Sequence, residues 1–319
     1  MIVIQNPARM RRRWLKRIHW GVLFGLMALI YGSHAPLIAL TKNDDEVPFN
    51  PSSCVVMIEL AKLLISLAAF VLSTGTSTPP PTLVLMAPYA VPAVLYALNN
   101  NLVVLMQGYM DPSSYQILSN LKIASTALLY SLFLGKRLRP VQWLALGLLM
   151  CACVCQTYSN LDLGDAERRA EAEQGPRLHI TTWGLFLVLV YCFVSGLAAV
   201  YTEMVLKSQK LPLSLQNLYL YAFGVAINGF SSYFTTSENS FLEGYSGVVW
   251  IIIAGQVANG LLMSVVLKHG SGITRLFVIS CSMLVNALLS WAILGLQLTP
   301  FFLLPVSLIG LAAHLYYRQ

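Results

Sequence analysis

The chain has 319 residues, of which 57% are hydrophobic and 10% are charged, and its formal net charge is +7. Soluble domains carry about 25% charged residues, so this composition excludes an ordinary soluble enzyme or binding module. The sequence predicts a polytopic membrane protein whose positive charge serves membrane orientation rather than contact with nucleic acid.

The chain begins with a basic stretch, RMRRRWLKR (residues 9–17), which is followed by a long apolar run. That run is too long for a cleavable signal peptide, and no small-residue cleavage site follows it. We therefore predict a retained, cytosolic basic segment at 1–19.

Since a membrane-spanning helix needs about 20 apolar residues, hydropathy predicts ten helices, at 20–40, 54–74, 83–107, 112–134, 141–158, 181–205, 214–235, 245–267, 272–295 and 299–317.

A polar linker at 159–180 separates the fifth and sixth predicted helices and has no apolar periodicity. With ten spans this linker is lumenal and both termini are cytosolic. Lys and Arg then concentrate on the cytosolic side, as the positive-inside rule requires.

An internal repeat predicts the architecture. Residues 134–140 (LGKRLRP) resemble residues 294–300 (LGLQLTP), and the same interval, about half the chain, pairs Asn99 with Asn259. The sequence thus predicts two five-helix units, at 20–158 and 181–317. An odd number of spans gives the two units opposite orientations, so the predicted fold is an all-α membrane protein of ten helices in two inverted repeats. In such transporters the substrate lies near the midplane, between the repeats.

The stretch NNNLVVLMQGYMDPSSYQILSNLKIAS (residues 99–125) is unusually polar for a membrane segment. Asp111 followed by Pro112 is typical of a helix start. Lys122 would then lie roughly 16 Å along that helix, about the middle of a ~30 Å hydrocarbon core. Tyr115 and Ser119 share its helix face by spacing, so this helix presents a polar stripe with a cation at its centre.

The other helices supply similar groups. Asn217, Tyr221, Gly224 and Asn228 lie on one face of the seventh predicted helix, and the repeat interval pairs Arg275 with Tyr115 and Ser282 with Lys122. Cations suit phosphate, tyrosine rings suit stacking, and amides suit base edges and hydroxyls, so we predict a cavity for a nucleotide-sugar-like solute. The candidate substrate-binding residues are Lys122, Arg275, Tyr115, Tyr96, Asn100, Asn217, Tyr221, Lys62, Ser119 and Ser282.

Each candidate has a structural alternative. Lys122 can be paired internally, Arg275 can extend to the membrane surface, and Glu59 can neutralise Lys62 one helical turn away. Tyrosines also form interfacial belts, and buried asparagines also bond helices to each other. We expect Glu203, near a helix end, to be solvated.

No catalytic motif of the HExxH, GxSxG or Walker A type occurs in the sequence. The five cysteines in apolar runs, Cys151 among them, are predicted to be buried small residues rather than metal ligands. We therefore predict no enzyme activity, no cofactor and no metal site.

Three segments carry a resemblance to a known family: residues 96–138 (YALNNNLVVLMQGYMDPSSYQILSNLKIASTALLYSLFLGKRL), NLYLYAFG and VLKHGSGITRLFVISCS. From about residue 20 onward the chain resembles the nucleotide-sugar transporters of solute carrier family 35, A subfamily, in the drug/metabolite transporter superfamily. The resemblance implies a Golgi membrane antiporter that supports glycosylation by exchanging a cytosolic nucleotide sugar for a lumenal nucleoside monophosphate, with a UDP-sugar or CDP-ribitol as the implied cargo.

The resemblance also assigns residues. The family's Tyr-x-x-x-Asn falls on Tyr96 and Asn100, its Tyr-Gln and Leu-Lys pairs on Tyr115 and Lys122, its Asn-x-x-x-Tyr on Asn217 and Tyr221, and its Glu-x-x-Lys on Glu59 and Lys62. Arg275 stands where CMP-sialic acid carriers have lysine, which argues against that cargo.

The implied partners are nucleotide sugar, nucleoside monophosphate and the bilayer, and the chain can also associate with itself or with related transporters. A non-transporting scaffold for related carriers is the alternative function.

Overall fold

The computed structural model describes residues 7–41, 48–73, 82–106, 108–110, 112–169, 181–235, 241–295 and 302–318, with no side-chain description at 7–18, 104, 112–113, 159–169 and 235. Within these ranges the chain is helical, and its elements are α1 (Pro7–Ala39), α2 (Pro51–Leu72), α3 (Leu83–Met106), α4 (Pro112–Leu118), a 3-10 turn (Ser119–Leu121), α5 (Lys122–Phe133), α6 (Pro140–Arg169), α7 (Thr182–Ser208), α8 (Leu213–Thr235), α9 (Gly247–His269), α10 (Gly272–Leu294) and α11 (Leu303–Tyr317).

Seven of the described helices are long and apolar enough to cross a membrane, and α11 is a shorter apolar helix. The prediction of an all-α, multi-pass membrane protein is therefore confirmed. The count of ten spans and their division into inverted repeats stay predictions. Several helix starts follow from capping: Asn50 accepts a hydrogen bond from the Ser52 amide at 2.9 Å, with Pro51 as the first residue of α2.

The described helices differ from the predicted ones at a few points. α1 begins at Pro7 rather than at residue 20, and α6 continues to Arg169 rather than ending at residue 158. Three predicted features lie wholly or partly outside the described residues: the Asp111 cap, the rest of the polar linker at 170–180, and most of the second copy of the repeated heptapeptide.

The fourth predicted helix is not continuous, because a 3-10 turn separates α4 from α5. Side chains in this segment bond to nearby backbone carbonyls: Asn120 Nδ2 donates to the carbonyl of Gln116 at 3.0 Å, and so does Ser119 Oγ. Such local bonds compete with the regular helical pattern. Tyr115 and Lys122 therefore belong to different helical segments, which the 3-10 turn joins.

The packing of the helices brings distant parts of the sequence into contact. α2 runs along α8, α1 along α10, and α6 along α11, while α3 contacts both α7 and α8, and α5 contacts α7. At one end of the bundle, the end at which α1 begins, Lys207 donates to the carbonyl of Gly270. At the opposite end Tyr245 bonds Ser53, and Thr181 bonds the carbonyl of Tyr109.

Apolar clusters fill the space between the helices. One cluster joins α5, α6, α7, α10 and α11 around Leu149, Val200 and Phe277. A second joins α3, α7, α8 and α9 around Tyr89 and Leu206. Cys153 and Cys192 are buried as predicted, but the prediction is wrong for Cys151, whose side chain is exposed on the apolar surface.

Candidate functional site

Two adjoining cavities lie inside the bundle. The first, called here the central cavity, has a volume of about 320 Å³ and lies between α2, α3, α8, α9 and α10. The second, called the outer cavity, has a volume of about 590 Å³ and extends toward the end of the bundle at which α2 begins. The two share lining residues from α1, α2, α3 and α9, so they form one connected region: the shared residues are Tyr31, Val55, Ile58, Asn100 and Gln256.

An ion pair forms one wall of the central cavity. Lys62 Nζ lies 2.5 Å from Glu59 Oε1, one turn away on α2. The ammonium also stands 4.5 Å from the centroid of the Tyr221 ring, at a distance where the ring attracts a cation. Tyr221 is held in place by its hydroxyl, which bonds Ser264 at 3.0 Å.

Two glycines make room for this ion pair. A Cβ atom on Gly224 of α8 would lie 2.7 Å from Glu59 Oε2, and one on Gly260 of α9 would lie 2.8 Å from Lys62 Cδ. Any larger residue at either position would displace the charged side chains. α2, α8 and α9 therefore enclose the pair tightly.

A second cation faces the same cavity from α10. Arg275 Nη1 donates a hydrogen bond to the Tyr96 hydroxyl at 3.3 Å, and Thr202 Oγ1 donates to that hydroxyl at 3.4 Å. The Nε atom of Arg275 is buried and has no hydrogen-bond partner among the described residues. An unsatisfied buried donor is costly, so this guanidinium is arranged to receive a further acceptor.

Amide side chains complete the lining. Asn228, Gln256 and Asn259 face the central cavity, and Asn259 Oδ1 is buried without a partner within the described ranges. Gln256, Asn259, Gly260, Met263 and Ser264 fall at i, i+3, i+4, i+7 and i+8, so one polar face of α9 borders the cavity. The candidate residues predicted from the sequence do not include this stripe, although the spacing alone indicates it.

The structure gathers some of the predicted residues and separates others. Five line the central cavity, namely Lys62, Tyr96, Asn100, Tyr221 and Arg275. Ser282 lines the outer cavity together with Asn100. Among the described residues, the linings of these two cavities do not include Lys122, Tyr115, Ser119 or Asn217.

Lys122 lies instead where α5 meets α6 and α7. It is half-buried and lies near the thiols of Cys153 and Cys192. No hydrogen bond or ion pair joins its ammonium to another described residue. Tyr115 packs nearby against Tyr191, with ring centroids 5.8 Å apart.

The expectation that Glu203 is solvated is wrong. Its side chain is fully buried, and it forms an ion pair with Lys207 at 2.6 Å. Its other oxygen accepts a hydrogen bond from the backbone N–H of Gly272, the first residue of α10. Helix N-termini attract negative charge, so this carboxylate has a structural reason to be buried.

Comparison with known proteins identifies the family. A family model described as nucleotide-sugar transporter matches residues 23–317, which is nearly the whole chain. The chain belongs to the nucleotide-sugar transporter family. Membership of this family confirms the predictions that the protein is a membrane transporter and not an enzyme.

The names of similar proteins support this family assignment. The probable UDP-sugar transporter protein SLC35A4 of Danio rerio is 61% identical over 303 residues, covering 94% of each chain. The protein of the same name from Xenopus tropicalis is 52% identical, covering 98% of this chain and 95% of the relative. The one from Homo sapiens is 50% identical, covering 95% of each.

A solved crystal structure, described only as that of a protein, shares the fold. It aligns with a TM-score of 0.69 at 11% identity, over 93% of this chain and 96% of the other. At that identity the likeness concerns the fold alone.

Proposed function

We propose that this protein is a Golgi antiporter that exchanges a cytosolic pyrimidine nucleotide sugar or alditol for a lumenal nucleoside monophosphate. The observation that carries the proposal is the presence of two cations, Lys62 and Arg275, in one cavity inside a membrane protein of this family. Charges within membranes are expensive and are retained where they bind or relay a charged solute.

The chemistry of the lining supports a nucleotide as the cargo. Lys62 and Arg275 supply charge-assisted hydrogen bonds for phosphate, and Arg275 presents a planar fork that suits two phosphate oxygens. Tyr96 and Tyr221 supply aromatic faces beside those cations. Asn100 and the amides of α8 and α9 are the groups that bind ribose, base edge and sugar hydroxyls.

Lys122, Tyr115, Ser119, Asn217 and Ser282 remain part of the proposed site. Lys122 stays because a half-buried cation without a partner among the described residues requires an anion at some stage of transport. Asn217 stays because its buried Oδ1 also has no partner within the described ranges. Ser282 faces the outer cavity, which continues the path from the central cavity.

The cargo is narrowed by two considerations. The named relatives are described as probable UDP-sugar transporters. The family resemblance of the sequence also admits CDP-ribitol, and both are pyrimidine nucleotides joined to a hydroxyl-rich group through a diphosphate. We propose that one of these two classes is the physiological cargo.

The helix neighbours support alternating access by inverted repeats. The interval between the two copies of the internal repeat pairs α1 with α7, α2 with α8, α3 with α9, α4–α5 with α10, and α6 with α11. If the two halves are related in this way, each contact between helices has an equivalent contact. The contact of α1 with α10 is equivalent to that of α7 with α5, the contact of α3 with α7 is equivalent to that of α9 with α1, and the contacts α2–α8 and α6–α11 are each their own equivalent. All of these contacts occur. Rocking of one repeat against the other would open the cavity to each side in turn.

Orientation and location follow from charge and family. The basic residues in the first turns of α1 and those near the ends of α7 and α9 lie toward the same end of the bundle. By the positive-inside rule this charge distribution supports a cytosolic location for this end and for both termini. The Golgi location rests on the family resemblance.

Transport into proteoliposomes tests the proposal. Purified full-length protein is reconstituted into vesicles preloaded with UMP, CMP or GMP, and uptake of labelled UDP-, CDP- and GDP-linked substrates is measured. We expect saturable uptake of one pyrimidine-linked class that depends on the matching monophosphate inside. Arg275→Gln protein serves as the matched control and should show only leakage. Absence of saturable uptake for every cargo would contradict the proposal and favour the non-transporting scaffold.

A further inference from the structure

The ion pair in the central cavity raises a question about electrostatic balance. Two cations and one carboxylate, Lys62, Arg275 and Glu59, line the cavity, so its formal charge is positive by one unit. A diphosphate-linked sugar carries two negative charges. A carboxylate in contact with one of the two cations opposes the binding of such an anion, yet the structure encloses this carboxylate closely.

The geometry shows that the surrounding helices hold the Glu59–Lys62 ion pair in a defined position. Glu59 Oε1 is 2.5 Å from Lys62 Nζ, and the two side chains are 18% and 11% exposed. Gly224 and Gly260 leave space that the two charged side chains fill. The Tyr221 ring lies against the ammonium and is itself fixed to α9 through Ser264.

An empty transporter needs such a partner for Lys62. Leaving a buried cation unpaired is strongly unfavourable, because the protein interior solvates charge poorly. Glu59 supplies the missing anion, since its carboxylate contacts the Lys62 ammonium. Lysine suits this exchange because its charge sits on a flexible stem and can move from one acceptor to another, whereas the Arg275 fork is held against Tyr96.

We infer that Glu59 is an internal counter-anion, which holds Lys62 in the empty cavity, competes with the phosphate of the incoming nucleotide, and speeds its release. This inference rests on the proposed function, since it requires a phosphate-bearing ligand in the central cavity. Glu59 is thus a positioning residue acting through Lys62. It lowers affinity and raises turnover, which suits a carrier that must release its cargo.

Binding of UMP and CMP to the purified full-length protein, measured by isothermal titration calorimetry, tests the inference. Replacing Glu59 by Gln keeps the shape of the side chain and removes its charge. We expect Glu59→Gln protein to bind the preferred monophosphate about tenfold more tightly than the wild type, a gain of about 1.4 kcal/mol. Glu59→Asp, which keeps the charge, should bind like the wild type.

A double-variant comparison separates this role from a structural one. In a Lys62→Gln background the Glu59→Gln change should give no tightening, because the competition acts through the ammonium. In proteoliposomes Glu59→Gln should lower both the KM and the maximal exchange rate severalfold, whereas a folding defect would lower the rate and leave the KM unchanged.

The outcomes distinguish the inference from the proposed function. If the wild type binds a monophosphate and Glu59→Gln binds it equally or more weakly, the counter-anion role is overturned while the proposed function stands. Tightening that persists without Lys62 also overturns it. If the wild type binds neither UMP nor CMP, the proposed function is overturned together with the inference that rests on it.

Discussion

The carboxylate of Glu203, near the end of α7, accepts a hydrogen bond from the backbone N–H of Gly272 at 2.6 Å. It thereby caps α10 from another helix, where Ser271 already caps the Thr274 amide. Lys207 completes the junction by bonding both Glu203 and the carbonyl of Gly270. The start of α10, which carries Arg275 into the central cavity, is therefore fixed to α7.

Replacing Glu203 by Ala should destabilise the protein by about 2–4 kcal/mol, because the Gly272 amide and Lys207 would lose a buried partner. The unfolding temperature of the detergent-purified protein measures this effect. Lys207→Gln is the control, and it should cost less because the Lys207 side chain is 28% exposed. Equal unfolding temperatures for wild type and Glu203→Ala would contradict the structural role.

Replacing Gly32 by Ala should also destabilise the protein, by about 1–3 kcal/mol through overpacking. A Cβ at this position of α1 would lie 2.6 Å from the carbonyl oxygen of Ser282 and 2.8 Å from Val285 Cβ, both on α10. Small residues allow such close helix approach in membranes. Gly25→Ala on the same helix is the control, since nothing lies within 4 Å of its Cβ. If the two variants unfold at the same temperature, the α1–α10 approach is looser than described.

Replacing Gly260 by Ala should weaken nucleotide binding severalfold while the protein stays folded. The new Cβ would lie 2.8 Å from Lys62 Cδ, and a flexible lysine side chain can move aside at small cost in stability. Titration calorimetry with UMP and CMP measures the affinity, and Gly255→Ala on the same helix is the control because its Cβ meets only Ile30 at 3.8 Å. Unchanged affinity in Gly260→Ala would mean that the Lys62 position does not matter for binding.

Replacing Arg275 by Lys should reduce affinity about tenfold, since a charge-assisted hydrogen bond contributes about 1.5–3 kcal/mol and lysine cannot reproduce the fork. Arg275→Gln should reduce it further by removing the charge. Tyr96→Phe removes the hydroxyl that receives Arg275 Nη1 and should have the mildest effect of the three. Affinities in the reverse order would argue that Tyr96 contributes more than the Arg275 guanidinium to nucleotide binding on this side of the cavity.

Replacing Lys122 by Ala should abolish exchange in proteoliposomes while leaving a folded, correctly targeted protein. The expected cause is loss of a cation from the transport path, not loss of a packing contact, because the ammonium bonds no described residue. Lys136→Ala, at an exposed position after α5, should transport normally. Normal transport by Lys122→Ala would remove Lys122 from the proposed site.

The sequence by itself determined the class of protein and five of the residues that line the central cavity. Hydropathy is a local property, because lipid requires each spanning helix to satisfy its own backbone and to be apolar over its own length. Polar stripes are equally local: the spacing of Tyr221, Gly224 and Asn228 placed three cavity-lining residues on one helix face, and the family motif added Tyr96 and Asn100. The same counting applied to α9 would have indicated Gln256.

Only the tertiary structure decided which of these stripes meet and how their charges are balanced. Glu203 looks like a surface residue in sequence, but it is buried because the start of α10, many residues away, needs an anion there. The role of Gly224 and Gly260 cannot be recognised from the sequence, because it depends on the close packing of α8 and α9 against Glu59 and Lys62. Lys122 lies apart from both cavities because α5 packs its lysine near Cys153 of α6 and Cys192 of α7. In each case the deciding interaction joins residues from different helices, and no local pattern in the sequence encodes which helix will be the neighbour.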